Sequence, residues 1–349
     1  MIRLFAICLF LASCVSAGLS QTVMPDARMH ALAVQGIDLT WQQKYREADS
    51  VFQVMTREFP NHPAGYAFRA GVMQTKAVDR DLMVDEAAFD TLVTTAKEKA
   101  RAMIGAGGED AKWGYFFLAT AEGCDSYARV YRGDWMTGAL RGVASSSAFK
   151  DAVARDSSLY DAYAGIGGFY YWRSRKTEYF NWLPFVGDDR PRAFALLNKT
   201  VEHGVYNRYT ALSMLVAIYN DAGSYDKAID CAHAGLLRYP SNEVFLWGMT
   251  TAFEKLGKWK EAVATYERLL ASMEGDGRES AYVALVCRLN ISKLKLDMDD
   301  TVQVRNNLTT ILKLRPEDFP PHLKTRVEEK LARARELLLK LGTSRSSNE

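Results

Sequence analysis

Apolar residues along this chain recur at helical spacing, and strand-like alternation is hard to find. The clearest stretch runs from Tyr209 to Leu270. Within it the pattern repeats after 34 residues, so that a second unit begins at Glu243. In that register Tyr219 lies over Phe253, Gly223 over Gly257, Tyr225 over Trp259 and Ala228 over Ala262. Each unit reads as two amphipathic helices joined by a glycine turn. A fixed period of this size predicts a solenoid of helical hairpins.

The same pattern can be followed along the rest of the chain. Met29–Pro60 has a small Gly36 in its first helix and Tyr45, Ala48 and Phe52 in its second, with Pro60 as a stop. Two helices that cross closely need small side chains at the crossing, here Gly36 and Ala48. Pro63–Ile104 reads as a hairpin with a lengthened turn, its second helix marked by Phe89, Leu92, Val93, Ala96 and Ala100. Asp110–Asp156 predicts two helices longer than the standard unit, with Asp134 as a candidate N-cap of the return helix. Tyr160–His203 is a further hairpin, interrupted by the irregular, aromatic and cationic segment 173–187. Ser280–Leu314 gives the last hairpin, and the charged, amphipathic 315–341 suits a terminal cap, with a polar, disordered tail expected over 342–349.

Three of these units, Met29–Pro60, Tyr209–Asn242 and Glu243–Leu270, closely resemble the tetratricopeptide repeat (TPR) family. The resemblance is looser between Pro63 and Gly204. It implies an all-α helix-turn-helix solenoid over 29–314, with divergent central repeats and a C-terminal capping helix. It further implies a protein- or peptide-binding scaffold in which the first helix of each hairpin lines the concave face. Carried onto this sequence, the ligand-facing positions include Tyr171, Asn220, Trp247 and Glu254. A dense ring of Lys and Asn that would grip a peptide carboxylate is not among them.

The segment 173–187 changes that picture. It gathers Arg173, Arg175, Lys176, Trp182 and Phe185 where a short turn would suffice. Cations and aromatics on an insertion suit a binding lip or lid; the same aromatics also suit a satellite core at the end of the groove. Binding candidates are therefore Tyr171, Arg173, Trp182, Phe185, Asn220, Trp247 and Glu254. The alternative to a protein-binding scaffold is a small-molecule binder or enzyme with 173–187 as its lid.

At the N-terminus, Arg3 and the apolar Leu4–Ala12 read as a secretory leader over 1–17. Its end has two readings. Val15-Ser16-Ala17 suits cleavage before Gly18, giving a soluble periplasmic protein. Leu11-Ala12-Ser13-Cys14 resembles a bacterial lipobox, with Cys14 acylated and the membrane reached only through that anchor.

A formal net charge of +2 gives no basic excess for nucleic acid and no acidic tail for a basic partner. The five His share no metal-ligand spacing, and no nucleophile motif surrounds Ser145–Ser147. No catalytic residue, metal or cofactor is expected. Cys124, Cys231 and Cys287 remain beyond the leader; Cys231 and Cys287, set among apolar residues, read as small buried hydrophobes.

Overall fold

The computed structural model describes residues 21–180, 187–273, 280–296, 298 and 301–346. Among them there are fifteen α-helices and no strand. Seven hairpins follow one another: α1 (Ala27–Trp41) with α2 (Tyr45–Glu58), α3 (Ala64–Arg80) with α4 (Glu86–Ala106), and α5 (Ala111–Tyr131) with α6 (Trp135–Arg155). Next come α7 (Ala162–Thr177) with α8 (Arg190–His203), α9 (Arg208–Asp221) with α10 (Tyr225–Arg238), and α11 (Glu243–Lys255) with α12 (Trp259–Ser272). The last pair is α13 (Ala281–Leu296) with α14 (Thr301–Ile311), capped by α15 (Lys324–Ser346). The expected all-α hairpin solenoid is therefore the fold. The helix α15 runs on through Gly342, where a tail was expected to begin.

The helix crossings are built as the residue types predict. A Cβ on Gly36 would lie 2.3 Å from the Phe52 ring, and one on Gly235 would lie 2.5 Å from the Phe245 ring. Those glycines let bulky rings of the neighbouring helix fill the groove. Ala48, Phe52 and Met55 line the buried face of α2. The Asp134 carboxylate accepts the Thr137 N–H at 3.2 Å and caps α6. Asp26, Asp85 and Asn242 cap α1, α4 and α11 in the same way.

Two polar features of the core were not visible in the helical pattern. Lys97, in the buried stripe of α4, reaches Glu122 at 2.9 Å and Asp125 at 2.6 Å on α5. Those carboxylates also meet Arg141 of α6. The pairing compensates charges that would be costly to bury singly. Asp161, fully buried at the start of α7, accepts the backbone N–H groups of Tyr206 at 2.9 Å and Asn207 at 2.6 Å. Burial outweighs these donors and pushes its carboxyl up to about 6.

His62 gives the fold a pH dependence. It sits in the α2–α3 connection, edge-on to Phe117 at 5.4 Å, and its Nδ1 accepts the Ala64 N–H at 3.2 Å. Burial lowers its pKa from 6.5 to about 4. The unfolded chain therefore binds a proton that the folded chain refuses, and stability falls as pH falls from about 6.5 to about 4. Asp161 has the opposite sign in an overlapping window, so the comparison must be between proteins differing only at His62. Urea unfolding of wild type and His62→Asn should show wild type losing about 2 kcal/mol relative to the variant between roughly pH 7 and 4.5. A difference that stays constant with pH would remove His62 from this role.

Candidate functional site

The array closes on itself. The N-terminal segment and α1 cross the connections at one edge of the later hairpins. Thr22 Oγ1 donates to Asp156 at 2.7 Å, and Gln21 Nε2 to Asp161 at 2.9 Å. The Met24 N–H donates to the Tyr206 hydroxyl at 3.0 Å, which also meets His30 Nδ1 at 2.6 Å. Farther along, Trp41 stacks on Phe245, with ring centres 5.5 Å apart and planes at 20°. Asp38 accepts from Arg238 at 2.9 Å and Tyr239 at 3.0 Å, and Asn242 donates to the Trp41 carbonyl at 2.8 Å. The second hairpin makes its own long-range contacts: Arg80 pairs with Glu243 at 2.5 Å, both buried, and Asp81 pairs with Arg326 of the cap at 2.6 Å.

Backbone strain marks these contacts. Among the described residues the non-glycine residues with positive φ are Gln43 and Asp81, at 61° and 51°. In three other hairpins the turn position of Gln43 holds a glycine: Gly133, Gly223 and Gly257, with φ of 88°, 72° and 68°. An L-residue there costs about 1–2 kcal/mol. The Gln43 side chain offsets the strain. Its Nε2 donates to Asp79 at 3.0 Å, and its Oε1 accepts the Glu243 N–H at 3.1 Å. One residue thus ties the first hairpin to α3 and to the start of α11.

These contacts bound a half-open cavity of about 420 Å³ on this face. Trp41 and Ile37 of α1 form one wall, Phe68 and Asp79 of α3 another, and Tyr127 of α5 and Thr210 of α9 face them across the space. Its volume falls in the range of small-ligand sites, about 300–1,000 Å³. Among the lining residues there is no Lys, Arg, His or Cys. Asp79 carries the one formal charge of the wall and accepts from the Tyr45 hydroxyl as well as from Gln43. Burial raises its carboxyl above the ordinary value, and the two donors and Arg80 oppose that shift. No group of His, Cys, Asp and Glu that could hold a metal occurs among the described residues.

The residues singled out from the sequence lie elsewhere. Tyr171, assigned to a groove position by the repeat register, is 1% exposed; its hydroxyl donates to Asp221 at 2.7 Å. Asn220 bridges adjacent hairpins, its Nδ2 donating to the Gly248 carbonyl at 2.9 Å. Glu254 accepts from the Tyr266 hydroxyl at 2.7 Å, and Trp247 packs edge-on to that ring. Arg173 pairs with Asp189 at the base of the insertion. None of these five lines the cavity. Trp182, Phe185 and Cys14 lie outside the described residues. The cavity wall escaped sequence reasoning because it forms only when α1 crosses to α11. The one local signal was Gln43 at a position where the other turns carry glycine.

The class is that of an all-α array of helical hairpins. Among solved structures the chain is similar to the TPR domain of P58(IPK), at 13% identity over 90% of this chain and 99% of that one, with a TM-score of 0.27. The class rests on the order and packing of the hairpins. No family model and no curated protein matches the chain.

The strain reading can be tested at Gln43. Gln43→Gly loses the side-chain contacts but relieves the backbone; Gln43→Ala loses the contacts and keeps the strain. The alanine variant should be less stable than the glycine variant by about 1 kcal/mol in chemical unfolding, and both should be less stable than wild type. Equal stability of the two variants would show that the turn costs nothing.

Proposed function

We propose that the chain is a non-catalytic binding scaffold that takes a compact segment of a protein partner into the half-open cavity. Helical-repeat arrays as a class bind through their concave surfaces. Here that surface is a chamber bounded by α1, α3, α5, α9 and α11, so a compact element suits it better than a long extended peptide. The observation that carries the reading is Gly71. It lies inside α3 on the cavity wall, and a Cβ built there meets nothing within 4 Å. A glycine inside a helix costs about 1 kcal/mol relative to alanine. Gly36, Gly114, Gly165 and Gly248 are each demanded by a neighbour's atoms; Gly71 and Gly105 have no such neighbour, and of these two Gly71 lies on the cavity wall, where it preserves space.

The same volume supports a second reading, a small-molecule ligand in this chamber. A lid formed by 173–187 gains no support there, since no described residue of that segment lines the cavity. The non-catalytic reading is supported by the wall's chemistry: its carboxylate is held by Tyr45 and Gln43, with no His, Lys or Cys beside it to act as base or nucleophile. The leader-like residues 1–17 support an exported protein of the cell envelope. No described helix is long and apolar enough to cross a membrane. Mass spectrometry of the mature N-terminus distinguishes acylated Cys14 from a free Gly18.

Gly71→Phe tests the site directly. The side chain should fill the chamber without displacing neighbours, so helicity and thermal stability should match wild type within a few degrees. A partner enriched from envelope extract by wild type should be lost with the variant. Retention of the same partner by a folded Gly71→Phe protein would move the binding site off the cavity.

A further inference from the structure

Asp79 defines what the chamber can hold. Its Oδ2 takes both internal donors, from Tyr45 and Gln43, and Oδ1 takes no hydrogen bond among the described residues. Asp79 forms no ion pair among those residues, while Arg80, next in sequence, is engaged with Glu243 at 2.5 Å. The rest of the wall supplies rings from Trp41, Phe68 and Tyr127 and neutral hydroxyls from Thr40, Thr75 and Thr210. A negatively charged ligand would meet a carboxylate and no base. A wholly apolar ligand would bury that carboxylate further without a partner. A cation with hydrogen-bond donors compensates the charge, and the aromatic walls suit both its stem and its charge.

We propose that the chamber recognises an ammonium group on a short apolar stem, with Asp79 as its acceptor. The inference rests on the reading of the cavity as the binding site and adds the chemistry of the ligand. Burial raises the Asp79 carboxyl despite its two donors and the nearby Arg80. An ammonium group comes from two sources: a free small amine, or the N-terminus or a lysine of a protein. Capture of an N-terminal amine is an established mode of peptide recognition.

Calorimetry on the full chain separates these possibilities. Phenylethylamine and phenylethanol share size and stem and differ in charge. Wild type should bind the amine roughly 10- to 100-fold more tightly than the alcohol. Asp79→Asn, nearly isosteric, should abolish that preference, and Gly71→Phe should abolish binding of both probes. The wild-type ratio needs no variant, so the inference stays testable even where Asp79→Asn folds poorly. A short apolar dipeptide amide with a free or an acetylated N-terminus, and an acetylated lysine amide, assign the source. Preference for the free N-terminus or the lysine points to a protein ligand, and binding of phenylethylamine alone points to a small amine. Equal binding of amine and alcohol, an amine preference that survives Asp79→Asn, or no binding of either probe overturns the ammonium inference. If Gly71→Phe still loses the partner in those cases, the cavity reading stands. If Gly71→Phe changes nothing, both fall.

Discussion

The anchoring of α1 over the later hairpins is the interaction on which the interior of this molecule depends. A repeat array buries its core between neighbours and would stand without such an anchor. The cavity would not. Trp41 stacked on Phe245, Asp38 held by Arg238 and Tyr239, and Gln43 reaching the start of α11 convert a curved surface into a chamber. These contacts span about 200 residues of sequence. Ordering such a closure costs loop entropy that grows slowly with length, so a few well-made contacts suffice to hold it.

Strain and polarity concentrate where the closure is made. Gln43 and Asp81 both hold left-handed backbone, and both carry long-range bonds: Gln43 to Asp79 and Glu243, Asp81 to Arg326 and, through its carbonyl, to His322. Glycine would relieve the backbone strain of this turn, as it does elsewhere. A side chain is retained because glycine has nothing with which to reach α3 and α11. The cap α15 takes part as well, since Arg326 and His322 tie the C-terminal end back to the second hairpin.

This division explains what the sequence could and could not reveal. Hairpins are local objects: the 34-residue register, the glycines at crossings and the Asp134 cap each follow from residues within one unit or its neighbour. All seven hairpins were legible in that way. Superhelical pitch is a sum of small rotations, and no single residue states it. Of the groove positions inferred from register, Asn220 joins adjacent hairpins, Trp247 and Glu254 pack against Tyr266 within their own hairpin, and Tyr171 is core. The polar core residues Lys97 and Asp161 escaped for a related reason. Their partners sit on other elements, and a helical pattern counts them as breaks in an apolar stripe or as caps.

Two locally unfavourable choices meet at the chamber, and each makes sense only there. Gly71 weakens a helix interior with no atom within 4 Å to require it, and Asp79 puts a carboxylate on a half-buried wall with no ion pair among the described residues. A core selected for stability alone would replace both, the first with alanine and the second with an apolar or paired residue. The neighbouring Arg80, by contrast, is buried against Glu243 at 2.5 Å. A carboxylate that takes two neutral donors, one residue from a buried ion pair, suits an occupant that brings its own positive charge.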